Sequence, residues 1–389
     1  MTNRKQQIRD KLELSVNKGE LPDLFVKPDG HRIKAVDEWP ELSSFWIDII
    51  LENEYGGLPP KPEEFTFESL CHSKVRHWPN SPNLWSYRIS CHGGEHPVSF
   101  SVKILFPDQA NQIPAIISGD GCWWSISDEV AQQVLQSGCA LVMFNRTELA
   151  EDLGYPGVPD KCKRSGGLYN VFPGHKFGAL SAWAWGYHRC VDLLYELTFV
   201  NKQRIAVTGH SRGGKTVLLA AMTDDRITLV NDNASGAGGS AAYRYVGEGG
   251  ETLDIINNFP SWFGPGLEPY LNREDDLPFD QHCMLASIAP RPLLSTYALN
   301  DPWSNPQGMI QCIWAAGEVY KFLDAENNIA FHLRERGHAH TSEDWKVLLD
   351  FIAWKWLGKT PKSAFNRQPY KKLIPAFSWR SPQNSNLSI

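Results

Sequence analysis

The chain has 389 residues, 42% hydrophobic and 21% charged, with a formal net charge of -6. That composition describes a globular protein with an ample core, and with no basic stripe it gives no electrostatic reason to expect nucleic acid as a partner. No stretch approaches the roughly 18 consecutive apolar residues of a membrane helix, so no membrane partner is expected either.

The N-terminus, Met1 to Gln7, runs into Arg9, Asp10, Lys11 and Glu13 without the apolar segment of a secretory signal, which leaves a soluble protein of open compartment. Residues 3–17 read as a polar, weakly amphipathic helix, and Leu42 to Glu54 as a second one ended by Gly56-Gly57. The Pro-rich stretch Leu58 to Pro62 then reads as a linker. Residues 1–62 are therefore expected to be an extension, and 63–389 one main domain.

Strand-like runs at Ser86 to Ser90 and Pro97 to Phe106 flank His92-Gly93-Gly94, and their alternation suits a half-exposed antiparallel pair. From there the rhythm changes. Short apolar runs at Pro114–Ile117, Ala140–Phe144, Ile205–Thr208, Ile227–Val230, Leu293–Tyr297 and Ile329–Leu333 alternate with helical patterns at Ser127–Ser137, Ala179–Leu197 and Gly213–Met222. Such alternation predicts an α/β fold, a mostly parallel sheet with helices on both faces. The segment 236–290 exceeds a simple crossover and is expected to be an insertion over the carboxyl edge of the sheet, where ligands bind. Eight scattered cysteines without a C-x-x-C pair read as buried thiols, not as a disulfide framework or zinc site.

The stretch Gly209-His210-Ser211-Arg212-Gly213-Gly214-Lys215-Thr216 carries two incompatible chemistries. Gly209-x-Ser211-x-Gly213 is a nucleophile elbow, a tight strand-to-helix turn that exposes a serine hydroxyl. The same residues match the phosphate loop G-x-x-x-x-G-K-[ST], with Asp232 as a candidate magnesium acid. Glycine makes up 31 residues, so chance yields an elbow match in roughly one of six such chains. Context has to decide.

An elbow requires an acid and then a histidine downstream, each on a loop after a later strand. Leu293–Tyr297 runs out into Asn300-Asp301-Pro302-Trp303, and Ile329–Leu333 into Gly337-His338-Ala339-His340. Ser211, Asp301 and His338 thus fall in hydrolase order. A serine hydroxyl needs a histidine to take its proton, and a carboxylate fixes the histidine's tautomer. His340 competes with His338 for the role of base. His282 is expected to cap or pack within the insertion. Gly119-Asp120-Gly121 follows the strand where hydrolases often keep a second oxyanion amide, and Trp123, Trp124 and Trp303 are candidates to stack on sugar rings.

At these residues the chain resembles carbohydrate esterase family 15, the glucuronoyl esterases. The resemblance rests on Trp183-Ala184-Trp185-Gly186, the elbow through Lys215, Ser235 to Gly239, Phe259-Pro260-Ser261-Trp262-Phe263, Asp280-Gln281-His282 and Ile288 to Pro292. It implies an α/β-hydrolase fold, a three-layer αβα sandwich, and hydrolysis without a cofactor of esters joining 4-O-methyl-glucuronate on xylan to lignin alcohols. By resemblance Ser211 is the nucleophile, His338 the base, Arg212 an oxyanion donor, Lys215 a sugar contact and Trp303 a wall of the uronate site. Fungal members place their acid where this chain has Ala234, so Asp301 takes that role, as in bacterial members. Glu251 replaces a sugar-contacting glutamine, and Phe259 a second acidic contact. A monomer is expected. Acetyl- or feruloyl-xylan esterase, P-loop NTPase and silent carbohydrate-binding protein stand as alternatives.

Overall fold

The apolar runs after Ile113 become parallel strands because they are buried on both faces and lack the alternation of a half-wet sheet. The structure, a computed structural model, describes residues 16–18, 20–93, 97–123, 126–153 and 164–382. Its strands are β1 (Val16–Lys18), β2 (Glu64–Lys74), β3 (Asn83–His92), β4 (Val98–Phe106), β5 (Ile113–Ser118) and β6 (Ala140–Phe144). The series continues with β7 (Val200–His210), β8 (Leu229–Asn233), β9 (Tyr245–Gly247), β10 (Leu293–Ala298) and β11 (Ile329–Arg334).

One nine-stranded sheet has the order β11-β10-β8-β7-β5-β6-β4-β3-β2. From β6 to β11 the neighbours pair in parallel, and β4, β3 and β2 close the sheet in antiparallel fashion. The loops after β5, β6, β7, β8, β10 and β11 therefore open on one edge.

The long helices are α1 (Trp39–Ile50), α2 (Asp128–Gln136), α3 (Ala179–Glu196), α4 (Arg212–Thr223), α5 (Gln281–Ser287), α6 (Pro306–Phe322) and α7 (Ser342–Leu357). One apolar cluster joins a face of the sheet to α1, α3, α4, α5 and α6, and a second joins the other face to α2 and α7. This is the expected three-layer sandwich. Among the described residues no helix is long and apolar enough to cross a membrane.

Several elements differ from the sequence expectation. The helix expected over 3–17 falls mostly outside the described residues, and its last residues lie in β1, which pairs antiparallel with β9 of the insertion. Strand β2 was not anticipated. It is the sheet's edge and is exposed along nearly its whole length, so it lacks the alternating pattern of a half-buried strand. Strand β8 runs on through Asn231, Asp232 and Asn233, polar residues that are fully buried and hydrogen-bonded. Helices α6 and α7 were also missed. The seven described cysteines are free, and Cys71 is exposed on β2, unlike the expected buried thiols.

After α1 the chain makes a π turn, Leu51–Tyr55, closed by Gly56 at φ 68°. There three backbone segments touch. A Cβ on Gly56 would lie 2.3 Å from Lys176 O, one on Gly178 2.2 Å from Trp262 O, and one on Gly264 2.2 Å from Gly56 N. Only glycine permits that approach.

Candidate active site

The elbow links β7 to α4. Ser211 adopts φ 56° and ψ -120°, a conformation that costs a non-glycine residue roughly 1–3 kcal/mol and is tolerated where the surroundings enforce it. Its N–H donates to Asn233 O at 2.7 Å, and its carbonyl accepts from Lys215 N–H at 3.1 Å. The flanking glycines are sterically required. A Cβ on Gly209 would lie 2.4 Å from Gly213 O, and one on Gly213 2.2 Å from Asp120 Oδ1.

Asp301 and His338 follow β10 and β11 on the same edge. His338 Nδ1 lies 2.6 Å from Asp301 Oδ2, with the carboxylate 4% and the imidazole 34% exposed. Burial pushes the Asp301 carboxyl up, but the hydrogen bond and charge of His338 outweigh it and hold it below its usual value. Among the described residues His340 has no such partner: its ring stacks on Trp345 at 5.1 Å, and its buried Nε2 makes no hydrogen bond. Ala234, just past β8, is buried with φ 48°.

His210, the residue before Ser211, was not singled out from sequence. Register aligns His210 with Asn233 and Asn233 with Thr296 across β7, β8 and β10. Asn233 Nδ2 donates to Thr296 O at 3.2 Å, which leaves its Oδ1 to accept from His210 Nδ1 at 2.6 Å. The amide thereby fixes the His210 tautomer. The His210 ring centroid is 4.5 Å from that of His338. Burial, then the charges of His338 and His340, push His210 down to about 3, so it is neutral at neutral pH.

Arg212, at the start of α4, donates Nη1 to both oxygens of Asp152 at 3.0 Å. Its guanidinium lies over Trp262 at 4.3 Å, Phe259 at 5.4 Å and Trp123 at 5.6 Å. Phe259 and Trp262 stack at 3.9 Å with 4° between planes. Phe259 thus packs beside the arginine.

Lys215 is buried and donates to Ser235 O at 2.6 Å, to Glu251 Oε2 at 2.7 Å and to Ala237 O. An ammonium has three donors, so no N–H is left for a sugar hydroxyl in this arrangement. Burial pushes Lys215 down and Glu251 up, and their ion pair opposes both shifts. The Glu251 N–H donates to the carbonyl of Trp303 at 2.8 Å, and the Trp303 side chain is exposed.

The phosphate-loop reading meets a direct obstacle here. Its lysine is spent internally, and Asp232 is fully buried, accepting from Ser235, Ser240 and Ser295 hydroxyls at 2.6, 2.7 and 2.5 Å. The eight predicted site residues connect through the elbow: Ser211 adjoins Arg212, which packs on Phe259, and the Ser211 carbonyl accepts from Lys215, which pairs with Glu251 and so reaches Trp303, while the Asp301–His338 pair meets the elbow through the His210 ring. Trp123 joins it against His210 at 6.0 Å, and Trp124 lies outside the described residues. Gly119 N–H is not free for an oxyanion, because it donates to Tyr187 Oη at 2.7 Å. His282 is buried, but its Nε2 meets Pro22 O of the N-terminal segment at 2.9 Å and not a partner within the insertion.

A strained serine at a strand-to-helix turn, on a mostly parallel sheet flanked by helices, defines an α/β-hydrolase. The family described as glucuronyl esterase of fungi matches residues 89–324. A 4-O-methyl-glucuronoyl methylesterase of Thermothelomyces thermophilus is 30% identical over 337 residues, covering 84% of this chain and 78% of that protein. The chain belongs to the glucuronoyl esterase family, and it is a carboxylic ester hydrolase. A family 15 glucuronoyl esterase of Caldicellulosiruptor kristjansonii superposes with a TM-score of 0.79 at 28% identity, covering 94% of this chain and 98% of its own. A serine-to-alanine variant of the Sporotrichum thermophile enzyme, in complex with methyl 4-O-methyl-β-D-glucopyranuronate, has a TM-score of 0.73 at 27% identity, covering 90% and 93%.

Proposed function

We propose that this chain cleaves esters of 4-O-methyl-glucuronate, the kind that join xylan to lignin alcohols, through an acyl-enzyme on Ser211. The observation that carries the reading is the 2.6 Å His338–Asp301 pair on the same sheet edge as a serine held at positive φ. His338 Nδ1 donates to Asp301, so Nε2 keeps the lone pair that takes the serine proton. The serine oxygen adds to the ester carbonyl, and the alkoxide is stabilised by Arg212 and the amide N–H after the nucleophile. The imidazolium then protonates the departing alcohol. Water, deprotonated by the same histidine, releases the uronic acid and restores the serine.

In the acyl pocket Glu251 accepts from sugar hydroxyls, while Trp303 and Phe259 supply apolar walls. Lys215 acts indirectly, by orienting Glu251 and the carbonyls of Ser235 and Ala237. Support for the uronate comes from the solved relative, whose ligand is a methyl ester of that sugar. None of these steps calls for a cofactor, and each takes place within a single chain.

Turnover of methyl glucuronate by S211A tests the assignment. The expected result is loss of activity by about 10⁴-fold or more with an unchanged melting profile. Retained turnover, or faster hydrolysis of acetyl or feruloyl esters than of glucuronate esters by the native chain, would overturn it.

A further inference from the structure

The loop after β6 contributes a charge that the triad does not use. Asp152 accepts Nη1 of Arg212 on both oxygens, and its Oδ1 also accepts Trp262 Nε1–H at 3.1 Å. Behind it lies Arg146, whose side chain has no exposed surface and whose Nη2 is 4.0 Å from the same carboxylate. Arg146 Nη1 donates to Asp120 Oδ1, and Asp120 Oδ2 accepts the backbone N–H of His210 at 2.8 Å. The chain of charges Asp120–Arg146–Asp152–Arg212 therefore holds the elbow on one side, at the amide before Ser211, and on the other side the guanidinium after it. Trp123 covers both arginines, over Arg146 at 4.1 Å and over Arg212 at 5.6 Å.

We propose that Asp152 is a positioning residue for Arg212, fixing the guanidinium where it meets the developing oxyanion. The inference rests on the reading of Arg212 as an oxyanion donor. An arginine has long, freely rotating bonds, so its catalytic value depends on what holds it before the charge develops. Here one nitrogen is committed to Asp152, and Trp262 on one side and Trp123 on another limit swinging. Nη1 is spent on alignment, which leaves the rest of the planar fork to face the oxyanion.

Steady-state kinetics of D152N, R212A and the double variant on methyl glucuronate test this. D152N should lower kcat by about tenfold to a hundredfold with KM little changed, the pattern of an interaction made in the transition state. In the R212A background the same change should alter kcat by less than about twofold, because residues acting through one another are not additive. Equal losses in both backgrounds, or a D152N kcat within about twofold of native, would overturn the proposal. If D152N does not fold, the cycle is run with D152E, which keeps the buried charge beside Arg146 but displaces the guanidinium, and the same additivity criterion decides. A native chain inert on glucuronate esters would refute the functional reading instead, and is seen before any variant is made.

Discussion

Replacing Asp301 by Asn probes the histidine's tautomer with almost no change in shape. The carboxylate is nearly inaccessible and 2.6 Å from His338 Nδ1, so the hydrogen bond is short, charge-assisted and shielded from water. His338 holds the Asp301 carboxyl below its usual value against burial, so it is ionised at neutral pH. An amide in its place can turn its NH2 to Nδ1, which moves the ring proton to Nε2 and removes the lone pair that serine requires. It also removes the negative charge that steadies the imidazolium. A wrong tautomer in this constellation costs about 10⁴ in kcat, or ~5.5 kcal/mol at about 1.36 kcal/mol per tenfold. The assay is kcat on methyl glucuronate near pH 7, with a thermal melt to show that D301N folds. A folded variant retaining more than about a tenth of native kcat would refute the pairing as the source of base strength.

H340F preserves the stack on Trp345, and kcat should stay within about threefold of native; a loss beyond a hundredfold would transfer the role of base to that residue. G213A puts a Cβ 2.2 Å from Asp120 Oδ1, so it should lower stability by about 1–3 kcal/mol, although alanine normally favours a helix; an unchanged or raised Tm would show that the elbow is looser than described. Burial pushes the Glu54 carboxyl from 4.5 up to about 7, so the folded state keeps a proton that the unfolded chain loses, and stability falls as pH rises across that window and levels off above it. E54Q stays neutral, and Gln281 Oε1, buried without a partner among the described residues, can accept its amide if Gln281 turns. Its Tm should match native near pH 4.5 and exceed it at pH 8, and a difference that does not vary with pH would count against the shift.

The parallel strands and the order Ser211, Asp301, His338 were legible because each leaves a local mark: an apolar run, a glycine-flanked serine, an acid or histidine just past a strand. Strand β2 left none, since a two-faced exposed edge has no polarity period. Asp152 and Arg146 were equally silent, because their partners Arg212 and Asp120 sit on other loops and such pairs have no spacing to read. Lys215 was legible as a functional lysine in motif terms, but its saturation by Ser235, Ala237 and Glu251 depends on three segments converging. His210 looked like filler between glycine and serine. Only the register of β7, β8 and β10 reveals what fixes its ring.

The glycine contact at Gly56, Gly178 and Gly264 bears on how such a site can diversify. Trp262, whose carbonyl abuts Gly178, forms the face on which Arg212 lies. Its position is set by main chain against main chain, with no side chain between that could be trimmed or enlarged. Any added atom pushes whole segments apart, and no smaller residue exists to draw them closer. Variation in the space around Arg212 is therefore open to Phe259 and Trp123, whose rings border the arginine as replaceable side chains, while the main chain at Trp262 stays at a constant distance.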